Sequence, residues 1–532
     1  MSVDSPVTEA ERYYAEGFWR PETLWSDVER VLRERADRVA FETDARALTY
    51  GELGHAAGVL AERLAAAGVE RGDVVAVLGR NALEAPVALV ACMRAGAVLA
   101  PVPPMFSAAQ LSALISQCDA RALIAFGGER EIEKCAEIPC ETHSFLALPP
   151  GELEELLAAP ASTAPPRALP ADEPNLLLHS SGTTATPKGI LHSGNTMRYA
   201  TEQIHERWEL DAEDNYLIVC EFGFVGSVIF GYFPTLLGGN RCFLLGRWDP
   251  VRALEVMERE RITYVLMMPT HTSDTLADGD PAAHDLSALR AFAAPGLTPE
   301  RRALAQEKFG HPPLADYGLS EVPGNTAHGL HEAPEKVRKT EGLPYRGTEI
   351  RIVGRDGEPL DRGAEGQVEI NGPSRFLGFL GNEELTRELI APWGGYRTGD
   401  LGYLDEDGHL VYLGRSKDTI ERGGVQIVPA DVEPTVLDHP AIREVALVPL
   451  PDERLGERVC AAVILVEGQE APSLDQLQDF LAGRDVAKYC WPESIEVFEE
   501  FPRTSSLKPV KGEIVKRVLA RHGGDAAQAA VD

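Results

Sequence analysis

The chain has 532 residues, of which 44% are hydrophobic and 25% charged, a composition that is ordinary for a globular protein. One compact core is not expected at this length, so we predict two or more domains. The formal net charge of −32 argues against nucleic acid and against an anionic membrane surface as partners, because both select basic surfaces.

The cysteines and the amino-terminal residues indicate the cellular compartment of the protein. The eight cysteines form no Cys-x-x-Cys pair and have no zinc-like spacing, which predicts reduced thiols. Met1–Tyr14 has acidic side chains and no apolar run, so no signal peptide is predicted. The most apolar window, Ala85–Val102, is interrupted by Arg94 and favours a helix followed by a strand over a membrane span. We therefore expect a cytoplasmic protein.

The first predicted elements alternate between helices and continuous apolar strands. Thr49 is predicted to cap a helix. Val74–Leu78 and Ala97–Val102 are predicted strands on either side of a helix at Asn81–Ala95. Apolar strands without polar alternation are typical of buried parallel sheets, so this region predicts βαβ units and an α/β fold.

A turn rich in hydroxyl groups and glycine follows the next predicted strand, Leu176–Leu178. We call Ser180–Gly189 the hydroxyl-rich turn; it includes Ser181, Gly182, Thr183, Thr184 and Lys188. Such a turn offers backbone N–H groups, hydroxyls and one ammonium to a polyphosphate. It is not a Walker A loop, because that pattern needs Gly-Lys followed by Ser or Thr at a helix start. A solvated linker is the alternative, and the apolar segments close on both sides disfavour it.

Later stretches combine core and site features. Leu217–Gly239 is apolar and aromatic, and a core strand and helix explain most of it; Tyr264–Pro269 is another predicted strand. In Asp316–Glu321, Tyr317 offers a flat face for adenine and Glu321 offers a hard oxygen for Mg²⁺. Alone this would be a common surface turn, and its value comes from its place after the hydroxyl-rich turn.

The chain becomes rich in alternating strands after Gly342. Glu349–Val353 and Gly366–Ile370 alternate between apolar and polar residues, which predicts a small antiparallel subdomain. The predicted fold is α/β, with a large amino-terminal domain of βαβ-type sheets and this β subdomain, followed by a small mobile α+β domain. We place the two domains at residues 1–416 and 417–532.

Five motifs in order resemble those of the adenylate-forming superfamily, beginning with the hydroxyl-rich turn and ending with Pro502–Lys508. This superfamily comprises acyl-CoA synthetases, acyl- and aryl-AMP ligases, luciferases and peptide-synthetase adenylation domains. The resemblance runs from about Leu48 to Lys516 and is closest to acyl-CoA ligases. It implies that the chain is an enzyme that uses ATP, Mg²⁺ and coenzyme A.

The resemblance also implies a nucleotide site. Thr184 and Glu321 would bind Mg²⁺, and the Asp400 carboxylate would accept hydrogen bonds from both ribose hydroxyls. The residues implied to bind ATP or an acyl-AMP are Ser181, Gly182, Thr183, Thr184, Ala294, Pro295, Asp316, Tyr317, Gly318, Ser320, Asp400 and Arg415.

Further implied roles concern catalysis and the thiol acceptor. Lys188, Glu321 and Lys508 are the implied catalytic residues, and Lys508 would bridge the carboxylate and the α-phosphate. Lys417 falls at the family's hinge. Gly423 and Gly424 resemble the turn that lines the pantetheine tunnel, where glycine suits a thin wall.

The implied acyl pocket contains Phe222, Gly223, Phe224, Val225 and Gly296. Relatives often carry a histidine before the glycine of this stretch, and this chain has none. The resemblance therefore implies a roomy, apolar pocket for a carboxylic acid that has space for a bulky or cyclic group.

Two departures from the family pattern concern adenylation. Ala185 and Leu507 stand where glycine is usual, and a Cβ there restricts positive φ or close approach to phosphate. Three hypotheses follow: an acyl-CoA ligase, an acyl- or aryl-AMP ligase that loads a separate carrier protein, and a degenerate member that thioesterifies acyl-AMP from another enzyme. A homodimer is left open.

Overall fold

The computed structural model describes residues 9–136, 138, 144–179, 188–422, 425–452, 454–484, 486–503 and 509–522. Its strands, numbered in chain order, are β1 (Val39–Glu42), β2 (Ala47–Thr49), β3 (Val74–Leu78), β4 (Val98–Val102), β5 (Ala122–Phe126), β6 (Ser144–Leu148), β7 (Pro174–His179), β8 (Gly189–Ser193), β9 (Asn215–Ile218), β10 (Arg241–Leu244), β11 (Tyr264–Leu266), β12 (Ala291–Ala293), β13 (Pro313–Leu314), β14 (Asp316–Tyr317), β15 (Thr326–Ala327), β16 (Leu343–Pro344), β17 (Glu349–Val353), β18 (Gly366–Asn371), β19 (Gly378–Phe379), β20 (Tyr396–Leu404), β21 (Leu410–Arg415), β22 (Ile420–Arg422), β23 (Val425–Ile427), β24 (Ile442–Asp452), β25 (Gly456–Leu465) and β26 (Ser494–Val497).

The helices are numbered in the same way. They are α1 (Glu9–Ala15), α2 (Leu24–Glu34), α3 (Tyr50–Ala66), α4 (Glu84–Ala95), α5 (Ala108–Gln117), α6 (Glu129–Ala136), α7 (Glu152–Ala158), α8 (Gly194–Arg207), α9 (Val225–Ser227), α10 (Phe233–Gly238), α11 (Pro250–Arg259), α12 (Pro269–Asp278), α13 (Pro299–Phe309), α14 (Pro334–Lys339), α15 (Glu383–Leu389), α16 (Pro429–Leu437), α17 (Leu474–Ala482) and α18 (Lys511–Arg521). Among the helices that the structure describes, none is long and apolar enough to cross a membrane.

Two seven-stranded sheets dominate the amino-terminal part. The first has the order β13-β12-β11-β9-β10-β1-β2 and is parallel except for β2. The second has the order β19-β8-β7-β4-β3-β5-β6, in which β3 to β7 are parallel and β8 and β19 join antiparallel at one edge. The predicted βαβ organisation is confirmed.

Alternate residues of the second sheet face two different cores. Val75 and Val77 belong to the main core, which includes residues of both sheets and of helices α2, α3, α4, α8 and α10. Ala76 and Leu78 belong to a second core with α5 and α6. Both faces of this sheet are therefore buried, which explains why its strands are apolar without alternation.

Local signals predict the start of helix α3 correctly and the start of helix α4 incorrectly. Thr49 caps α3 with a capping box, as predicted. The predicted start of α4 at Asn81 is wrong, because the helix begins at Glu84. The Asn81 amide instead donates to the carbonyl oxygens of Cys220 (2.9 Å) and Leu245 (3.1 Å). These bonds hold the loop after β3 against the segments that follow β9 and β10 of the first sheet.

Two small antiparallel sheets follow, β14-β15-β16 and β17-β18-β20-β21. The predicted strand Glu349–Val353 is confirmed, and the predicted strand that begins at Gly366 runs on to Asn371. The hairpin between β20 and β21 turns at Asp405–Gly408, where the Gly408 N–H donates to the Asp405 carbonyl oxygen (3.0 Å). These sheets form the predicted β subdomain.

The carboxyl-terminal part contains a sheet with a core on each face. Its order is β23-β22-β25-β24, with β26 parallel to β25. Along β25, Val459, Ala461 and Val463 pack with α16 and α17, and Cys460 and Ala462 pack with α18. The predicted α+β architecture is therefore confirmed, while the boundary at residue 417 and the mobility of this part stay predictions.

Candidate active site

Several of the motifs meet at the carboxyl edge of the first sheet. Phe222–Val225 follow β9, Ala294–Gly296 follow β12, and Asp316 begins β14 directly after β13. The strands β9, β11, β12 and β13 are neighbours and parallel, so the segments that follow them lie side by side. Open α/β sheets bind ligands at such an edge.

Asp400, Arg415 and Tyr317 form one cluster. Asp400 on β20 lies opposite Arg415 on β21 in the strand register. Arg415 Nε lies 2.7 Å from Asp400 Oδ1, and the Tyr317 hydroxyl donates to Asp400 Oδ2 over 2.5 Å. Burial and the Asp400 charge hold the pKa of Tyr317 well above its usual value. The Asp400 side chain is only 2% exposed, and the Arg415 guanidinium compensates for the lost solvation of its charge. The carboxylate can accept hydrogen bonds from the hydroxyl groups of a ligand.

Glu321 lies in a second cluster, which shares Arg415 with the first. Burial raises the pKa of the Glu321 carboxyl, while a hydrogen bond from the Tyr396 hydroxyl and the charges of Arg415 and Lys188 act in the opposite direction. Lys188 directly precedes β8, so the second large sheet and the small sheet that carries Tyr396 and Arg415 both contribute to this cluster. A hard oxygen beside an ammonium and a guanidinium suits a polyphosphate with a divalent cation.

Asp316 offers a third polar group at this edge. Burial raises the pKa of its carboxyl to about 8, and a hydrogen bond from the Tyr345 hydroxyl (3.3 Å) and the charge of Arg207 offset this only in part. At neutral pH the group is therefore mostly protonated and can both donate and accept. Gly318 follows in the same turn, and a Cβ there would lie 2.6 Å from the Gly324 nitrogen, so this turn requires glycine.

Two family models match the chain. The AMP-binding enzyme model matches residues 28–380, and the AMP-binding enzyme C-terminal domain model matches residues 431–508. The chain belongs to the adenylate-forming superfamily of AMP-binding enzymes. The predicted family is thereby confirmed, and enzymes of this superfamily use ATP and Mg²⁺.

Curated and solved members of the superfamily resemble the chain over nearly its whole length. A medium-chain fatty-acid–CoA ligase of Escherichia coli K12 is 30% identical over 538 residues, covering 98% of this chain and 95% of the relative. A salicyl-AMP ligase/salicyl-S-ArCP synthetase of Mycobacterium tuberculosis H37Rv is 32% identical over 546 residues (98% and 94%). ATP-bound MatB from Rhodopseudomonas palustris, 24% identical, has a TM-score of 0.86 over 96% of this chain and all of that one, which shows the same fold.

In this adenylate-forming enzyme, Phe222 and Gly223 of the predicted acyl pocket pack between the two large sheets. Phe222 is fully buried, and its ring packs edge-on against Phe126 and Tyr232, with centroids 5.6 and 5.7 Å apart. Gly223 has a φ of +99°, and a Cβ there would lie 2.5 Å from the Pro103 nitrogen. Only glycine fits that position, because both its conformation and its space exclude a side chain.

The remaining predicted pocket residues are more open. Phe224 and Val225 are half-buried, and Gly296 is exposed in the turn after β12. Trp248, which follows β10, and Met268, which follows β11, are also partly buried and pack on the main core. These apolar groups lie after neighbouring parallel strands, which is where an apolar acyl group would meet the nucleotide site.

Other predicted site residues lie outside the described residues. They are Ser181, Gly182, Thr183, Thr184, Gly423, Gly424 and Lys508, together with the departures Ala185 and Leu507. The described residues that flank these three segments are paired: His179 with Gly189, Arg422 with Val425, and Arg503 with Pro509. Each segment therefore begins and ends at adjacent points of the fold, and the roles of its residues stay predictions.

Three contacts around Glu321 were missing from the predicted site. The Tyr396 hydroxyl bonds to the Glu321 carboxyl, His192 Nε2 lies 2.7 Å from the Ser320 carbonyl oxygen, and the Phe376 N–H donates to the Glu321 carbonyl oxygen over 2.8 Å. Tyr396 could have been found, since it begins the motif that contains Asp400. The sequence carries no comparable signal for His192, whose partner is 128 residues away.

Two places in the described part of the chain offer possible ligands for a cation. Glu321 fits Mg²⁺, because its carboxyl has lost solvent and lies beside cationic groups suited to phosphate. Asp405, Asp407 and His409 also bring ligand atoms within 4.8 Å of one another. There, however, Lys336 Nζ lies 2.7 Å from Asp405 and 2.5 Å from Asp407, so an ammonium already neutralises the group.

Proposed function

We propose that the protein is an AMP-forming acyl-CoA ligase for an apolar carboxylic acid, with space for a bulky or cyclic group. The observation that supports this best is the convergence of Asp400, Arg415, Tyr317, Glu321 and Lys188. These side chains supply an acceptor for a ribose diol, cations for phosphate and a hard oxygen donor. A purely non-enzymatic binding role would leave this combination of charges without a purpose.

In the first half-reaction, a carboxylate oxygen of the acid attacks the α-phosphorus of ATP. The bond from that phosphorus to the bridging oxygen breaks, and pyrophosphate leaves with the electron pair. Asp400 holds the ribose, while Lys188, with Lys508, stabilises the charge that develops on the phosphate oxygens. Mg²⁺ bound at Glu321 and Thr184 would supply further charge neutralisation on the phosphates.

In the second half-reaction, the sulfur of CoA attacks the acyl carbon of the acyl-AMP. The bond from that carbon to the phosphate oxygen breaks, AMP leaves with the electron pair, and the thiol proton passes to solvent. Gly423 and Gly424 would form the thin wall along which pantetheine reaches this carbon.

The proposed class of acid rests on the apolar side chains at the sheet edge. Phe224, Val225, Trp248 and Met268 are partly buried there, and each keeps apolar surface that a ligand can cover. The names of two relatives, a medium-chain fatty-acid–CoA ligase and a salicyl-AMP ligase, point to an aliphatic or an aromatic acid.

A panel of carboxylates tests the proposal. Straight-chain acids of six to twelve carbons and benzoate, salicylate and cinnamate would each be incubated with the protein, ATP, Mg²⁺ and CoA. We expect at least one acid to give equal amounts of AMP and acyl-CoA, measured by chromatography and mass spectrometry. A folded protein that forms neither acyl-AMP nor pyrophosphate with any of them would contradict the proposal.

Two further arms separate the alternatives. In the first arm, a phosphopantetheinyl carrier protein replaces CoA, and formation of a carrier thioester without acyl-CoA would identify a carrier-loading ligase.

In the second arm, synthetic acyl-AMP replaces the acid and ATP. Because Ala185 and Leu507 both fall at adenylation motifs, we expect acyl-CoA to form from supplied acyl-AMP at least about ten times faster, an order of magnitude set by one or two backbone penalties of roughly 1–2 kcal/mol. Equal rates would show that the chain has adapted to both residues.

A further inference from the structure

A single side chain links β8, the strand after the hydroxyl-rich turn, to the loop of Glu321. His192 on β8 is fully buried, and its Nε2 lies 2.7 Å from the Ser320 carbonyl oxygen. A carbonyl can only accept, so Nε2 carries the proton and donates it. Since Ser320 precedes Glu321 directly, this bond holds the peptide group that leads into Glu321.

The peptide group that leaves Glu321 is held from the adjoining strand. The Phe376 N–H donates to the Glu321 carbonyl oxygen over 2.8 Å, and Phe376 lies just before β19. In turn β19 pairs with β8, with Gly378 opposite Leu191. The backbone on both sides of Glu321 is therefore attached to the same pair of strands, once by a backbone group and once by a histidine.

The same pair of strands, β8 and β19, also determines the position of Lys188. Lys188 directly precedes β8, and the Leu380 N–H after β19 donates to the carbonyl oxygen of Gly189 over 2.9 Å. Lys188 Nζ lies 5.4 Å from the Phe379 ring centroid. Only the first three residues of β8 lie between Lys188 and His192, so this strand sets the spacing between the lysine and the residue that anchors the Glu321 loop.

The imidazole ring is itself held in place. His192 Nδ1 lies 3.3 Å from Thr196 Oγ1, and the Thr196 N–H donates to Ser193 Oγ in the turn that caps α8. On the same face of β8, Ile190 is fully buried in the main core. Because Nε2 carries the proton, Nδ1 can only accept, and the Thr196 hydroxyl donates to the Ser193 carbonyl oxygen over 2.9 Å. Core packing and the turn at the start of α8 therefore position the ring beside the Ser320 carbonyl.

We propose that His192 is a positioning residue for adenylation: it sets the distance between the Glu321 carboxylate and Lys188 by anchoring the Ser320 carbonyl to β8. The proposal rests on the function proposed above, in which these two groups serve the metal and the phosphates. Thioesterification starts from acyl-AMP, which has no β- or γ-phosphate, and so depends much less on this distance.

Two substitutions of similar size test the hydrogen bond. His192→Leu keeps apolar volume and cannot donate, whereas the amide nitrogen of His192→Gln reaches about as far as Nε2 and can donate. His205→Leu is the control, because His205 is a partly buried histidine on α8 whose pKa burial lowers to about 4, as it does for His192. Each variant is compared with the wild-type protein for thermal unfolding before kinetics.

The readouts are the two half-reactions and the Mg²⁺ dependence of the first, with an acid that the wild-type protein activates. We expect His192→Leu to slow acyl-AMP formation at saturating ATP by about tenfold to a hundredfold, the size expected when a reacting group is displaced by about 1 Å. The Mg²⁺ concentration for half-maximal rate should rise by at least about threefold, which corresponds to about 0.65 kcal/mol in binding. Acyl-CoA formation from supplied acyl-AMP should change by less than about twofold, and His192→Gln should recover most of the loss.

Other outcomes overturn the inference. Unchanged Mg²⁺ dependence in folded His192→Leu, equal loss of both half-reactions, or the same pattern in His205→Leu would show that the histidine only stabilises the core. If His192→Leu does not fold, His192→Asn takes its place, since its shorter amide should fail where His192→Gln succeeds, and equal adenylation rates in the Asn and Gln variants would refute the proposal. A wild-type protein that activates no acid would refute the proposed function instead.

Discussion

The wild-type protein is expected to lose stability as the pH rises, because Asp316 must then ionise in the core. The Asp316→Asn variant should not show this loss. Asp316 is 8% exposed, and burial raises the pKa of its carboxyl from 3.8 to about 8 in the folded protein. Between these pH values the folded protein keeps a proton that the unfolded chain has released. The contribution of this group to stability is therefore fully present below about pH 4 and is lost as the pH rises through about 8.

The size of the effect follows from the raised pKa. One pKa unit corresponds to about 1.4 kcal/mol, so ionising Asp316 in the folded protein would cost on the order of 6 kcal/mol. Entry of water and local rearrangement reduce this cost, and we expect to measure at least about 2 kcal/mol. Asparagine has nearly the same size and can accept the hydrogen bond of the Tyr345 hydroxyl, but it does not ionise.

The assay is unfolding by urea at pH 5, 7 and 9, followed by tryptophan fluorescence. The free energy of unfolding of Asp316→Asn, relative to the wild-type protein, should rise by at least about 2 kcal/mol from pH 5 to pH 9. Asp405→Asn is the control: burial acts to raise the pKa of Asp405, but hydrogen bonds from Lys336 and the His409 N–H outweigh it and lower the pKa. The Asp405 contribution is therefore lost only as the pH falls through that lowered pKa, and its effect should be constant over the same range. Parallel pH profiles for Asp316→Asn and the wild-type protein would refute the reasoning.

Three further substitutions test separate parts of the site. Asp400→Ala removes the proposed ribose acceptor and leaves the Arg415 guanidinium without its carboxylate, so the KM for ATP should rise more than about tenfold; unchanged nucleotide affinity in a folded variant would remove Asp400 from the site. Gly424→Leu should suppress acyl-CoA formation and spare acyl-AMP formation in separate half-reaction assays, and equal loss of both would rule out the tunnel assignment. Gly223→Ala should lower the free energy of unfolding by at least about 2 kcal/mol, because its φ is +99° and the new Cβ would lie 2.5 Å from the Pro103 nitrogen. An unchanged urea midpoint would contradict that expectation.

Residues in short motifs were predictable where the chemistry depends on residue type and order. Asp400 and Arg415 were assigned to one ligand, and the structure pairs them at 2.7 Å, because β20 and β21 form a hairpin whose register sets them opposite each other. Tyr317 was assigned from its flat ring, yet the structure also shows its hydroxyl bonded to Asp400. A motif predicts which groups are present, and the partner of each polar atom depends on how the strands pair.

The sequence by itself determined the fold class, the family and the order of the chemical groups along the chain, because hydrophobic periodicity, capping residues and motifs are local properties. The tertiary structure alone decided which distant groups touch. Asn81 ends up bonded to two carbonyl oxygens instead of starting a helix, and Phe222 lies in the core between two aromatic rings. His192 meets the Ser320 carbonyl 128 residues away. Such contacts depend on the packing of one sheet against the other, and no local pattern of residues encodes that packing.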